Sequence, residues 1–191
     1  LSGMLPVLER YGVRLFVMTG AEHTIAEYQK LKEILRVLNV PVLYAIRGQR
    51  ISFGENEIAI LSPEEFLAGA QVPRKSLNDT SIVAQLSNPH ITALFTGDIT
   101  SKLEARLDSV NEVKVLKVPH HGSKYSSSRE FLEKVSPEFA VIEVGRNSYG
   151  HPTPETLSRL AAVGAKVFRT DVDGTVSFLV DDGVVKIKTS E

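Results

Sequence analysis

The residues with chemistry to offer are gathered in the second half of the chain. Val115-Leu116-Lys117-Val118-Pro119-His120-His121-Gly122-Ser123 is a short apolar run that ends at a proline and is followed by two imidazoles. The run reads as a buried strand, and Pro119 and Gly122 mark a loop leaving it. Leu94-Phe95-Thr96-Gly97-Asp98 repeats the pattern with a carboxylate at its end. His151 lies in the loop-rich stretch Gly145 to Pro152, behind a third apolar run, Phe139 to Val144. Strand ends on one edge of an α/β sheet meet in space even when far apart in sequence. One carboxylate with two or three imidazoles is a donor set suited to Zn²⁺, Mn²⁺ or Fe. An ion held there would lower the pKa of a bound water to about 7 and polarise a phosphoryl or acyl oxygen. On a regular strand His120 and His121 would face opposite ways; the flanking proline and glycine predict a loop in which both turn inward. The plainer alternative makes one of them a ligand or core residue and leaves the other exposed, and makes His151 an ordinary loop residue.

Other polar residues admit readings of their own. Ser123 could act as a nucleophile with a histidine as base and Asp98 as its orienter, but the chain has no G-x-S-x-G elbow. More simply, Ser123, Ser126, Ser127 and Ser128 donate to a phosphate or to the backbone. Asn78-Asp79-Thr80-Ser81, taken alone, is a turn at a sheet edge. His23 reads as a helix-start or surface residue, and His90, in a Ser-Asn-Pro-His turn, as structural or exposed. Lys114, Lys117, Lys124 and Arg129 are compatible with nucleic-acid backbone contacts, although a solvated face accounts for them as well.

The elements that must position these groups alternate between helical and strand periods. Helices are expected over Leu1 to Tyr11, Thr24 to Leu38, a short stretch after Ser62-Pro63-Glu64-Glu65, Ser101 to Val110, the segment capped by Ser126 to Ser128, and Thr153 to Gly164. Strands are expected over Arg14 to Met18, Pro41 to Ile46, a meander from Ile51 to Leu61, Ile82 to Leu86, Ile91 to Phe95, Val113 to Val118, Phe139 to Val144 and Lys166 to Thr170. Asp171 to Gly174 reads as a turn. A closing hairpin turns about Asp182-Gly183, joining Thr175–Val180 to Val184–Thr189. This order predicts a layered α/β fold.

The chain's 191 residues suit one domain, and its 42% apolar and 24% charged composition is that of a globular protein. A net charge of −1 argues against holding nucleic acid by bulk charge, though not against a local basic groove. With no cysteine, thiolate metal sites, disulfides and cysteine nucleophiles are excluded, so any metal is held by His, Asp or Glu. No apolar run reaches the ~18 residues of a membrane span. Leu1 stands where a methionine would open a complete chain, and the first residues already read as helix, so the sequence reads as a fragment that begins in mid-fold.

Five segments carry a family likeness. Asn78-Asp79-Thr80-Ser81-Ile82-Val83, Leu94 to Asp98, Val118 to Ser123, Gly150-His151-Pro152 and Asp173-Gly174-Thr175 resemble, in order and spacing, the C-terminal metallo-β-lactamase-fold domain of the ComEC family of competence DNA-uptake proteins. The resemblance implies an αββα sandwich with a two-metal site between the sheets, holding Zn or Mn. It implies that Asp98 bridges the two ions and that His120 is a ligand. It further implies that His121 and His151 line the site as catalytic groups, and that Asn78, Asp79 and Ser123 stand where substrate binds. The family's H-x-H-x-D-H element has no counterpart, because Leu1-Ser2-Gly3-Met4-Leu5 resembles the residues that follow it. The first strands are expected to be missing too, and with them most ligands of both metals. The function implied for the complete domain is metal-dependent hydrolysis of DNA, single-stranded and held through its phosphates. The domain would hang from a membrane channel protein on the extracytoplasmic side. A non-catalytic DNA-docking module and a metallo-hydrolase of small esters are the competing readings.

Overall fold

The computed structural model describes residues 3–73 and 76–190. Among the described residues there are six α-helices and eleven strands. They are α1 (Met4–Arg10), β1 (Phe16–Met18), α2 (Ala26–Val37), β2 (Val42–Tyr44), β3 (Arg50–Phe53), β4 (Asn56–Ser62), β5 (Val83–Ser87), β6 (Thr92–Phe95), α3 (Ser101–Glu104), β7 (Val115–Lys117), α4 (Arg129–Val135), β8 (Phe139–Ile142), α5 (Pro154–Ala162), β9 (Lys166–Arg169), α6 (Thr170–Asp173), β10 (Thr175–Asp181) and β11 (Val184–Ser190).

Seven strands form one mixed sheet in the order β3-β4-β5-β6-β7-β8-β9. Pairing is antiparallel from β3 to β6 and parallel from β6 to β9. The parallel half needs crossovers, and α3, α4 and α5 lie in them. Leu94, Leu116, Ala140 and Ile142 point to the helix side. There they join Leu103, Leu107, Phe131, Leu132, Val135 and Leu160 in one core, so all three crossovers cover the same face. The register Leu94↔Leu116↔Ala140 brings the carboxyl ends of β6, β7 and β8 to one edge.

The other face carries Ala93, Phe95, Val115, Lys117 and Val141 under Val176, Phe178 and Val180 of the β10–β11 hairpin, around a cavity of about 400 Å³. Phe139 packs between Phe168 and Phe178. These two strands stand as the second sheet of the expected sandwich, and they leave Phe95 47% exposed. A side lobe pairs β1 with β2 in parallel and packs α1 against α2 around Leu5, Leu8, Leu31 and Leu35.

Two helix expectations are corrected. Ser62-Pro63-Glu64-Glu65 starts no helix. Ser62 closes β4, and its hydroxyl, buried and unpartnered, caps nothing. Glu64 instead bridges Arg47 and Arg106, and Arg47 N–H donates to the Pro63 carbonyl, which ties the segment down as a bend. The helix expected over Ser101 to Val110 stops at Glu104. Beyond it the bonds tighten to Arg106→Leu103 and Leu107→Glu104, and the Lys134 ammonium takes the Leu107 and Asp108 carbonyls. Leu103, Leu107 and Val110 still point inward as the spacing predicts. Asp171 lies in the single helical turn of α6, which opens onto the hairpin at Gly174. The expected start at Leu1 lies partly outside the described residues, as do Arg74 and Lys75.

Candidate metal and phosphate site

The loops after β6 and β7 are sewn together through their backbones. Thr96 Oγ1 donates to the Lys117 carbonyl at 2.7 Å. The Gly97 carbonyl accepts twice, from His120 N–H at 3.1 Å and from Lys117 Nζ at 2.9 Å. Asp98 N–H donates to Ser81 Oγ at 3.1 Å. Gly97 has φ +56°, and a Cβ there would stand 2.6 Å from Ser81 Cβ, so only glycine lets the turn close on Ser81.

His120 and His121 do not alternate as strand residues. Both adopt left-handed backbone, φ 49° and 54°, directly after Pro119. Such a conformation costs about 1–2 kcal/mol per non-glycine residue, and it turns both rings toward the strand ends. The next residue, Gly122, has φ +80°, and a Cβ on it would meet Pro152 at 2.6 Å. Gly122 therefore fixes how closely the paired histidines approach the His151 loop.

Asp98 and His121 form the first pair of the site, with Oδ1 3.5 Å from Nε2. His121 Nδ1 lies 2.6 Å from the Glu143 carbonyl, which can only accept, so Nδ1 carries the proton. In the neutral ring a lone pair on Nε2 then faces a carboxylate oxygen. A divalent ion between the two atoms would satisfy both. Ligands about 2.1 Å from a tetrahedral ion stand roughly 3.4 Å apart, so the observed separation suits a shared ion. Lys117 adds a fixed charge, its Nζ 3.9 Å from Asp98 Oδ1 and its side chain only 12% exposed. Burial holds the Lys117 ammonium below the ordinary lysine pKa, against the opposing pull of Asp98 and Glu143.

His120 and His151 form the second pair, edge to face with centroids 5.7 Å apart. Asn78 Nδ2 stands 3.3 Å from His120 Nε2, and His120 Nδ1 is buried with no hydrogen-bond partner. The His151 pKa lies below the ordinary histidine value. Burial is the main cause; the neighbouring His120 and His121 add to it and Asp98 opposes it. Tyr149 stacks on the His151 ring at 5.9 Å and 28°.

Asp98, His120, His121, His151 and Asn78 are thus brought together. Asp79 is directed elsewhere, its Oδ1 accepting from Thr100 N–H at 2.9 Å and Thr100 Oγ1 at 2.7 Å, which anchors the start of α3. Ser123 is 2% exposed and its hydroxyl accepts from Tyr125 N–H at 3.4 Å; its backbone N–H donates to the His120 carbonyl at 3.0 Å, but among the described residues no hydrogen bond joins its hydroxyl to a histidine side chain. Ser126 donates to the Ile99 carbonyl, and Ser128 caps α4 at Phe131 N–H. His23 does stand at a helix start, with Nδ1 accepting from Ile25 N–H. Sequence reasoning missed Lys117, taken there as one of a scatter of surface cations. The available signal was its place inside an apolar strand run, where a lysine head group needs a partner.

The donor chemistry fits a divalent ion, with Asp98, His121 and His120 as the groups that would face it. The shell stays incomplete: among the described residues no three His, Asp or Glu side chains converge in metal-ligating geometry. Beside the fixed Lys117 charge, the arrangement can hold an anion or move a proton between histidine and carboxylate.

No protein-family profile matches the chain. The chain is 29% identical over 176 residues to ComE operon protein 3 of Bacillus subtilis (strain 168), covering 90% of this chain and 22% of that protein. It is 39% identical over 131 residues to competence protein ComA of Neisseria gonorrhoeae, covering 64% of this chain and 18% of the relative. The chain thus spans about a fifth of the length of the curated relatives it matches. Among solved structures it is similar in fold to CmlA, a diiron β-hydroxylase from Streptomyces venezuelae, with TM-score 0.51, 14% identity, and 88% of this chain and 40% of that one covered. The resemblance to the ComEC family is borne out along nearly the whole chain, and the fold is metallo-β-lactamase-like.

Proposed function

We propose that this ComEC-like domain is a metal-dependent phosphodiesterase that acts on DNA during its uptake, as part of a larger membrane protein. The observation that carries the reading is the meeting of Asp98, His120, His121 and His151 at the ends of adjacent parallel strands, with Lys117 fixed beside them. A bound divalent ion supplies charge stabilisation at a phosphoryl oxygen and an acidified water. Asp98 and His120 would hold it. His121, with Nδ1–H fixed on the Glu143 carbonyl, aims Nε2 at Asp98 Oδ1, where it would share the ion or, once protonated, donate to a phosphate oxygen. His151, held neutral by its surroundings, accepts a proton or, once protonated, returns it to the leaving oxygen. Asn78 steadies the His120 ring. The net charge of −1 makes phosphate recognition a matter of this local cluster. No described helix is long and apolar enough to cross a membrane. In this reading the rest of the protein carries the domain on the extracytoplasmic side.

The incomplete ligand shell favours a second reading, a DNA-docking module without catalysis. Metal content and Mn²⁺- or Zn²⁺-dependent cleavage of single-stranded DNA, with Asp98→Ala and His120→Ala beside the parent, decide between them. Cleavage abolished by both substitutions supports the nuclease. DNA binding without metal uptake or cleavage supports the docking module, and hydrolysis of small esters without DNA cleavage supports neither.

A further inference from the structure

The loop between β8 and α5 is more ordered than its composition predicts. Asn147 ties it from within: Nδ2 donates to the carbonyls of Gly145 and His151, both at 2.9 Å, and Oδ1 accepts from Tyr149 N–H at 3.1 Å and His151 N–H at 3.0 Å. Four hydrogen bonds from one amide close the loop into a compact knot. The knot holds Tyr149 against the His151 ring, yet the tyrosine remains 81% exposed, the highest exposure of any large apolar side chain described. One side of its ring rests on His151, which itself stands edge to face with His120, and the rest is open to solvent. An exposed aromatic of this kind contributes nothing to the core, and Arg146 stands exposed on the same loop.

We infer that Tyr149 is a stacking platform for an unpaired nucleobase beside the site, and that it directs the site to single-stranded nucleic acid. This rests on the reading of the site as one that handles DNA phosphates. A base π-face stacks on tyrosine whatever its identity, and in a duplex that face is already covered by the neighbouring base pair. The platform therefore selects single strands or frayed ends without reading sequence. His151 backs the ring from beneath, so a base stacked on Tyr149 holds its adjoining phosphate near the Asp98, His120 and His121 cluster. Tyr125, 67% exposed under the Lys124 ammonium at 5.3 Å, offers a second aromatic surface two residues beyond Ser123.

The test is fluorescence anisotropy on the 191-residue chain in EDTA, with labelled oligothymidylate and with an abasic strand of equal length. Tyr149→Ala should weaken oligothymidylate binding roughly tenfold, the scale of one lost base stack. Tyr149→Phe should hold parental affinity, and the abasic strand should bind the parent and Tyr149→Ala alike. Equal loss on both strands would assign Tyr149 to loop structure and overturn the inference, as would an unchanged Ala variant or a parent that binds no oligothymidylate. Binding is read without metal or turnover. A chain that binds through Tyr149 but never cleaves under Mn²⁺ keeps this inference and loses the nuclease reading. A chain that cleaves, and binds regardless of Tyr149, does the reverse.

Discussion

Glu104 provides the sharpest test of how the histidine loop is held. It lies on α3, 3% exposed, and its two carboxylate oxygens accept from the backbone N–H groups of Ser127 and Ser128, the latter at 2.9 Å. Ser127 is itself at φ +56°, and Ser128 opens α4, so the carboxylate fixes the turn that leads from the paired histidines into the next helix. Removing it in Glu104→Ala strands two buried N–H donors at about 1–3 kcal/mol each, partly offset by no longer burying a charge. A net loss of about 2–4 kcal/mol is expected, which lowers Tm by roughly 5–15 °C in a chain of this length. Hydrogen exchange should accelerate at the Ser127 and Ser128 amides. Burial holds the Glu104 carboxyl above the ordinary glutamate range, against the pull of the Ser128 and Ser127 N–H groups and of Arg159. Between about pH 4.3 and that raised value the native chain therefore keeps a proton the unfolded chain has lost, and this group makes stability fall as pH rises. Glu104→Gln, uncharged throughout, removes that slope. An Ala variant melting within about 2 °C of the parent, or a Gln variant with the parent's pH profile, would refute the reasoning.

Other expectations follow from the same geometry. Gly97→Ala forces a Cβ to 2.6 Å from Ser81 Cβ at a left-handed φ, so it should cost about 1–3 kcal/mol and disturb Asp98, read as a lower denaturation midpoint together with weaker Mn²⁺ binding. Asp79→Ala removes both hydrogen bonds to Thr100 and should cost about 1–3 kcal/mol by urea titration; if Asp79 also touches substrate, DNA affinity falls beyond what the stability change explains. His151 has a native pKa below its unfolded value of about 6.5, so in the window between them the unfolded chain binds more protons and stability rises with pH. His151→Gln should flatten that rise, as followed by thermal melts from pH 5 to about pH 7.

Much of this molecule was settled by local sequence chemistry. The apolar runs ending at Asp98, Pro119 and Val144 became adjacent parallel strands, because continuous apolar segments separated by helical periods have few ways to bury both faces. The Asp182-Gly183 hairpin and the Ser128 cap followed from turn and capping chemistry that acts over a few residues. Short-range patterns failed where a distant partner won, as when Glu64 was taken by Arg47 and Arg106 and left the Ser62–Glu65 segment without its helix. The site was legible as a set of residue types, but its pairings were not. Which histidine faces Asp98, which meets Asn78, and that Asp79 serves Thr100 depend on two consecutive left-handed residues and on loops from separate strands closing over one another. Lys117 is the clearest case. Sequence placed a cation on a strand, and only packing decided that it would be buried against Gly97 and Asp98, because burial is set by what lies across the sheet.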